Sequence, residues 1–555
     1  MDNTDLPAPP DTSKMRDTRV VVPVLGLGRF APFARDWSAD KPVLRPYWGR
    51  IMIWLLSIVI IGWTSLATGA YAFVKYRRGF TEVRYSHILL LPWKLDDYRR
   101  AKGEFTIKQG LDLAEKQEWR AAFNLLRTGL LTVPEHREAR LMVARLYLMA
   151  GRPDVVRTTL LDGLPHHGDQ LDYLRQVLGF FFGLQADDTV ITLTKELRGR
   201  LDPAAPAYRM ATTALAYAYF NRNRYAEADA LLRDSRLLGT PEGRFVTARI
   251  HWDRGRRGEA LTQLRELTSA VPEDNEIYRT YIFYLKEEKR WSEVRRASLS
   301  RQFALPDRPD AYVDFIAACG EENDEARRVE AETAFFERFA TDVPALIKLA
   351  EEAARVGRAE TAGRVLAKCR ALGTSEPDAT LLLALAHLER RGYNEVLALI
   401  EHISPGTSKW SERQRLVLGG VQASALYAVG RDAEAEPFIR QICESRLLPP
   451  HLLTTLADHL KTVGKEPESL RLLRHAVEID PLNQPALVRL LRKAQEENNL
   501  RDSLVLIERL LGMRKPPVEL LTALEADLSS DRYLFLPGRE RTEAAIKAWL
   551  AAREK

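Results

Sequence analysis

The sequence predicts an all-α protein in which one apolar helix of membrane length precedes an α-solenoid of about twelve helix pairs. Three observations carry that prediction. Self-similarity at a period of about 34 residues begins near residue 103. Residues 51–74, IMIWLLSIVIIGWTSLATGAYAFV, contain no charge. The composition is 46% hydrophobic and 28% charged but only 8% aromatic, with the Ala, Leu, Arg and Glu enrichment that favours helix.

The apolar segment comes first along the chain. Its 24 residues would make about 36 Å of helix, enough to cross a hydrocarbon core of roughly 30 Å. Tyr47 and Trp48 at one end, and Tyr71, Phe73 and Tyr76 at the other, resemble interfacial aromatic belts. Arg45 and Arg50 close the front edge and Lys75, Arg77 and Arg78 the back. The run starts too far in and is too long for a cleaved signal peptide. Four Lys/Arg in the 20 residues before it and five in the 20 after leave the positive-inside rule nearly silent. A short cytoplasmic stub, with the bulk of the chain on the periplasmic side of a bacterial inner membrane, is the expected topology.

Charge supports this division. Residues 1–50 carry a net +2 and residues 75–103 a net +5, so the rest of a chain of net charge +6 sums to −1. The positive excess flanks the apolar run, where it suits anionic lipid head groups. The repeat array has no basic stripe, so nucleic acid is not an expected partner. Residues 1–50, opening MDNTDLPAPPD, read as a disordered tail, with VVVPVLGLGRF at 20–30 able to pair as a strand. Gly26-x-Gly28 lacks the third glycine of a nucleotide site. Residues 75–102 are expected as a juxtamembrane linker.

The clearest repeat is 450–483, PHLLTTLADHLKTVGKEPESLRLLRHAVEIDPLN. Ala457 and Leu460 mark a first helix, Gly464 a turn, Ser469, Leu473 and Ala476 a second helix, and Pro481 a stop. Small residues allow close helix approach, the glycine tolerates a left-handed turn, and the proline prevents continuation. The pattern recurs upstream with substitutions, from Gly110, Trp119, Ala122 and Leu126 through Ala216, Tyr225 and Ala228 to Tyr427, Gly430 and Ala435. It resembles the tetratricopeptide repeat family. That resemblance implies a right-handed solenoid over 103–516, followed by capping helices in 517–555, around 518–528 and 540–553. It also implies a concave face, lined by the first helix of each pair, that binds a partner protein or peptide.

No enzyme motif of the GxxxxGK[ST], HExxH or GxSxG kind occurs, and the chain is not expected to be an enzyme. No cofactor or metal is expected either. Cys319, Cys369 and Cys443 are far apart, and the adjacent His166 and His167 lack further ligands. Projection of the first helices of repeats three to six puts Tyr173, Phe180, Tyr217, Phe220, Trp252 and Phe283 inward, with Arg249 and Arg279 among them. Aromatic and arginine side chains are those that anchor a bound segment. The Lys/Asn carboxylate clamp of chaperone-binding family members is missing, with Ile107, Leu111, Leu141 and Arg145 at the matching places. The expected function is therefore a membrane-anchored interaction scaffold. An accessory role in polysaccharide export or cell-envelope assembly is the alternative.

Overall fold

The computed structural model describes residues 21–23, 33–36, 43–403 and 410–554. Three short strands, β1 (Val21–Pro23), β2 (Phe33–Asp36) and β3 (Val43–Pro46), pair antiparallel in the order β1-β2-β3. Val21 lies opposite Asp36, and Phe33 opposite Pro46. These short segments of the tail pair locally with one another. The MDNTDLPAPPD opening and Gly26-x-Gly28 lie outside the described residues. Helix α1 (Trp48–Ala72) follows, ending in a π turn at Phe73–Arg77, and a short α2 (Tyr85–Leu89) comes next.

The chain divides after Val177 into two compact units. The first contains α3 (Leu95–Glu115), α4 (Trp119–Thr132), α5 (Arg137–Met149), α6 (Pro153–Leu161) and the single turn α7 (Leu164–His167). Glycines bring α3 and α4 together. A Cβ on Gly129 would lie 2.4 Å from Ile107 Cγ1, and one on Gly103 2.2 Å from Thr132 Oγ1. Ile107, Leu126, Val133, Ala139 and Val143 form the core beneath this crossing.

Helix α8 (Leu171–Gly183) contains the boundary. The second unit continues with α9 (Asp187–Arg200), α10 (Pro206–Asn221), α11 (Tyr225–Asp234), α12 (Pro241–Asp253), α13 (Arg257–Ala270), α14 (Asn275–Glu287) and α15 (Trp291–Ala304). Next come α16 (Pro309–Glu321), α17 (Glu325–Arg338), α18 (Val343–Arg355), α19 (Ala359–Leu372), α20 (Glu376–Glu389) and α21 (Tyr393–Ile403). The last are α22 (Glu412–Ala428), α23 (Asp432–Glu444), α24 (Pro450–Thr462), α25 (Glu466–Ile479), α26 (Gln484–Glu496), α27 (Leu500–Leu511), α28 (Val518–Leu528) and α29 (Arg539–Glu554). The fold is an all-α solenoid of helix pairs.

One residue with positive φ ends the first helix of each pair: Gln117, Gly151, Gln185, Asn223, Gly255, Lys289, Asn323, Gly357, Arg391, Gly430, Gly464 and Asn498. Eight of the eleven intervals between these positions are 34 residues, so the backbone keeps the repeat where the side chains lose it. Only five of the twelve are glycine. Lys289 (φ 55°) and Arg391 (φ 62°) hold a conformation that costs a residue with a Cβ about 1–2 kcal/mol. Part of that returns as the larger unfolded-state entropy of glycine. Lys289→Gly and Arg391→Gly should each therefore stabilise by about 0.5–1 kcal/mol. Urea unfolding of each variant checks this, and a loss of stability in both would contradict the strain assigned here.

At the C-terminal end, Tyr533 is buried and Leu536 packs on the last core cluster. Leu534 and Phe535 point outward instead, Phe535 being 93% exposed. Only half of YLFL at 533–536 tucks back.

Candidate functional site

The first helices of three successive pairs, α10, α12 and α14, build the site. Each has a defined start. Pro206 and Pro241 occupy first-turn positions, the Thr240 side chain accepts the Gly243 N–H, and Asp274 Oδ1 accepts those of Glu276 and Ile277 at 2.8 and 3.3 Å. On each helix, residues spaced i, i+3, i+4 share one face. These are Tyr217, Phe220 and Asn221 on α10, Arg249, Trp252 and Asp253 on α12, and the i, i+4 pair Arg279 and Phe283 on α14.

A cavity of about 1420 Å³ opens on this face. The Arg249 guanidinium sits over the rings of Phe220 (4.6 Å), Tyr217 (5.2 Å) and Phe245 (5.9 Å), so aromatic faces rather than carboxylates hold its charge. Trp252 stacks flat on Tyr284 with centroids 3.9 Å apart. Burial pushes the Tyr284 hydroxyl up to about 12 and that of Tyr217 also upward, so both stay protonated donors. The floor is ionic. Fully buried Arg301 donates to Asn275 Oδ1 (2.8 and 3.0 Å) and Asp314 Oδ2 (2.9 Å), while Lys286 reaches the other Asp314 oxygen at 2.7 Å. Burial lowers the Arg301 guanidinium, against the pull of Asp314 and Asp310. Lys348 pairs with Asp310.

The remaining wall comes from the far end of the unit. Arg514, in the linker between α27 and α28, makes two 2.6 Å bonds to Asp187, which Asn221 also reaches at 2.8 Å. Lys515 Nζ donates to the Phe220 carbonyl (2.6 Å), Asn223 Oδ1 and Tyr225 OH (both 2.9 Å), and pairs with Asp253 at 2.6 Å. It also lies 3.8 Å from the Phe220 ring centroid. The second unit is thus closed on itself by two adjacent cations.

Of the residues singled out from sequence, Phe220, Arg249, Trp252, Arg279 and Phe283 line this cavity. Tyr217 lies half-buried beneath Arg249. Phe180 is half-buried beside Phe181 and is not among the lining residues. Tyr173, in the first unit, is fully buried, and its hydroxyl donates to the Leu160 carbonyl at 2.6 Å. It is a packing residue: a Cβ on Gly163 would meet its hydroxyl oxygen at 2.0 Å, so glycine there makes room for the ring. His167 packs against the same ring. Among the described residues, no cluster of three His, Cys, Asp or Glu side chains suits a metal ion. Arg301, Asp314, Lys348, Arg514 and Lys515 were not legible as site residues.

Residues 209–234 and 241–266 match the family model described as tetratricopeptide repeat. No curated protein matches the chain. The APC/C hetero-tetramer Cut9-Hcn1 is among the similar solved structures, at 12% identity over 89% of this chain and 91% of that one, TM-score 0.31. Yeast Tom70 shares 12% identity over 81% and 96%, TM-score 0.29. PilW, a type IV pilus biogenesis factor, shares 13% over 43% and 94%, TM-score 0.28. Scores this low carry no argument about site or shape. The family match covers α10 to α13, whose first helices carry Phe220, Arg249 and Trp252, and the same turn recurs along the chain: its helix pairs are similar to tetratricopeptide repeats.

Proposed function

We propose that the protein is a membrane-anchored scaffold that holds an extended segment of a partner protein in the cavity framed by α10, α12 and α14. The carrying observation is on α14. Among the described residues Arg279 makes no hydrogen bond or ion pair and acts on Asp310 only at longer range, although most other cations of the lining are paired, and Phe283 one turn on is 55% exposed. An exposed guanidinium beside a half-exposed phenyl ring, with the Trp252–Tyr284 stack as a flat neighbour, suits an acidic side chain next to an aromatic or branched apolar one. The anchor reading is supported by α1, whose most apolar stretch has a mean hydropathy of 2.0 and exposes Ile53, Leu56, Ile58, Val59 and Ile61.

Arg279→Ala and Phe283→Ala should each weaken partner binding about 10-fold or more, because truncated anchors cost about 2 kcal/mol. Stability should move by less than about 0.5 kcal/mol, as both side chains are exposed. A photo-crosslinker at position 283 in the full chain should give an adduct that Arg279→Ala abolishes. The same group at Phe303, exposed on α15, should give none. Equal adducts at both positions, or one indifferent to Arg279, would remove the cavity as the partner site.

A further inference from the structure

In the first unit the chain after α1 packs back onto it. The indole N–H of Trp63, midway along α1, donates to the Leu89 carbonyl at 2.7 Å, and the Thr68 and Tyr85 hydroxyls share a 3.0 Å bond. The chain after α1 therefore folds back along it. From Ala67 onward one face of α1 is covered by protein, while Thr68, Gly69, Ala72 and Phe73 on the other stay open. Ala67, Ala70, Tyr71 and Val74 pack with Phe80, Val83, Ile88 and Phe105, the two phenyl rings stacked at 4.8 Å. Before Ala67 almost every large apolar side chain is open, out to Leu66.

Residues 48–66 are 19 in number, about 28 Å of helix, which matches a hydrocarbon core of roughly 30 Å. A span of 48–66 would be shorter than the apolar run in the sequence and shifted toward its start. This puts the Trp63–Leu89 bond within about 5 Å of the boundary, three residues inside it. The loop 90–95, LLPWKL, leaves α2 at that same level. There Trp93 is 80% exposed, with Leu90 and Leu95 also open. Residues 75–103 surround it with eight Lys/Arg against three acids.

We propose that the loop 90–95 is a second membrane contact, seated in the headgroup layer of the leaflet from which α1 emerges, with Trp93 as its anchor. The occupant is lipid because α2, from which the loop leaves, is hydrogen-bonded through Leu89 to Trp63 near the end of the exposed apolar stretch. An indole at the headgroup level flanked by lysine and arginine is the arrangement that an anionic interface stabilises. This inference rests on the anchor half of the proposed function.

The test uses the full chain in a Cys443→Ser background, reconstituted in phosphatidylcholine vesicles containing one-third phosphatidylglycerol. Single variants Trp93→Cys, Ile58→Cys and Phe303→Cys carry an environment-sensitive fluorophore. The expected pattern is three-fold. Position 58 is quenched by a spin label deep in the acyl chain. Position 93 is blue-shifted, shielded from iodide and quenched best by a headgroup spin label. Position 303 is quenched by iodide alone. Position 93 behaving like 303 while 58 reports lipid would overturn the second contact and leave the anchor standing. Position 93 as deep as 58 would overturn the boundary drawn here. Iodide quenching at 58 would remove the anchor and this inference together.

Discussion

Replacing Arg514 with alanine should cost about 3–5 kcal/mol locally, because it strands a carboxylate with no access to water. Asp187 is 0% exposed and keeps only the amide of Asn221 once the two 2.6 Å bonds to Arg514 are gone. An array of repeats need not unfold in one step, so the loss should be read locally. Hydrogen exchange should accelerate in α9, the turn at 221–225 and the linker at 512–517, while α18 to α25 keep their protection. The double variant Arg514→Ala/Asp187→Ala should recover part of the loss, since it removes the stranded charge as well as its partner. Unchanged protection at α9 in Arg514→Ala would mean that the closure contributes nothing. The same variant bears on function. Arg514 and Lys515 line the cavity, so opening the linker should weaken partner binding even though no groove residue of α10, α12 or α14 has changed.

That closure also marks the limit of what the sequence discloses. The repeat was legible because small and large apolar residues recur at fixed offsets and are buried there, as Ala457, Leu460, Leu473 and Ala476 show. It was blurred because the left-handed turn is held by Asn, Gln, Lys or Arg in seven of its twelve occurrences, where a glycine signature is sought. Phe220, Arg249, Trp252, Arg279 and Phe283 could be read from helical spacing alone, since three and four residues return to one face. Tyr173 obeys the same spacing yet packs inward, because Gly163, ten residues earlier, leaves space for its ring. Arg514 and Lys515 had no signal. Their partners lie 262 to 327 residues away, and a solenoid brings such residues together only through the accumulated geometry of the intervening repeats. The N-terminal end of the fold carries the same lesson. The apolar run predicts a long helix, but only the fold-back of α2 shows that one face of its last turns packs on protein.

A single methyl group on α12 should disturb the site as much as the loss of an anchor. Gly243 is the third residue of α12, and a Cβ there would lie 1.9 Å from the Leu237 carbonyl oxygen and 2.7 Å from its carbon. Those are backbone atoms in the turn that delivers the helix, so no rotamer change relieves the clash. The turn at 237–240 is itself tied, with Thr240 Oγ1 donating to the Leu237 carbonyl at 2.8 Å and accepting from Gly243 N–H at 3.2 Å. Gly243→Ala should therefore cost about 1–3 kcal/mol, the range for forced overpacking, instead of gaining the helix propensity of alanine. Gly363→Ala in α19 is the matched comparison: nothing lies within 4 Å of its added Cβ, and it should stabilise by about 0.5–1 kcal/mol. Opposite signs for the two variants in urea unfolding are the expected result, and equal effects would show that the turn gives way freely. Because α12 carries Arg249 and Trp252, a shift at its first turn moves both into or out of the cavity. Partner binding should fall in Gly243→Ala and hold in Gly363→Ala, which separates a groove set by helix placement from one set by side chains alone.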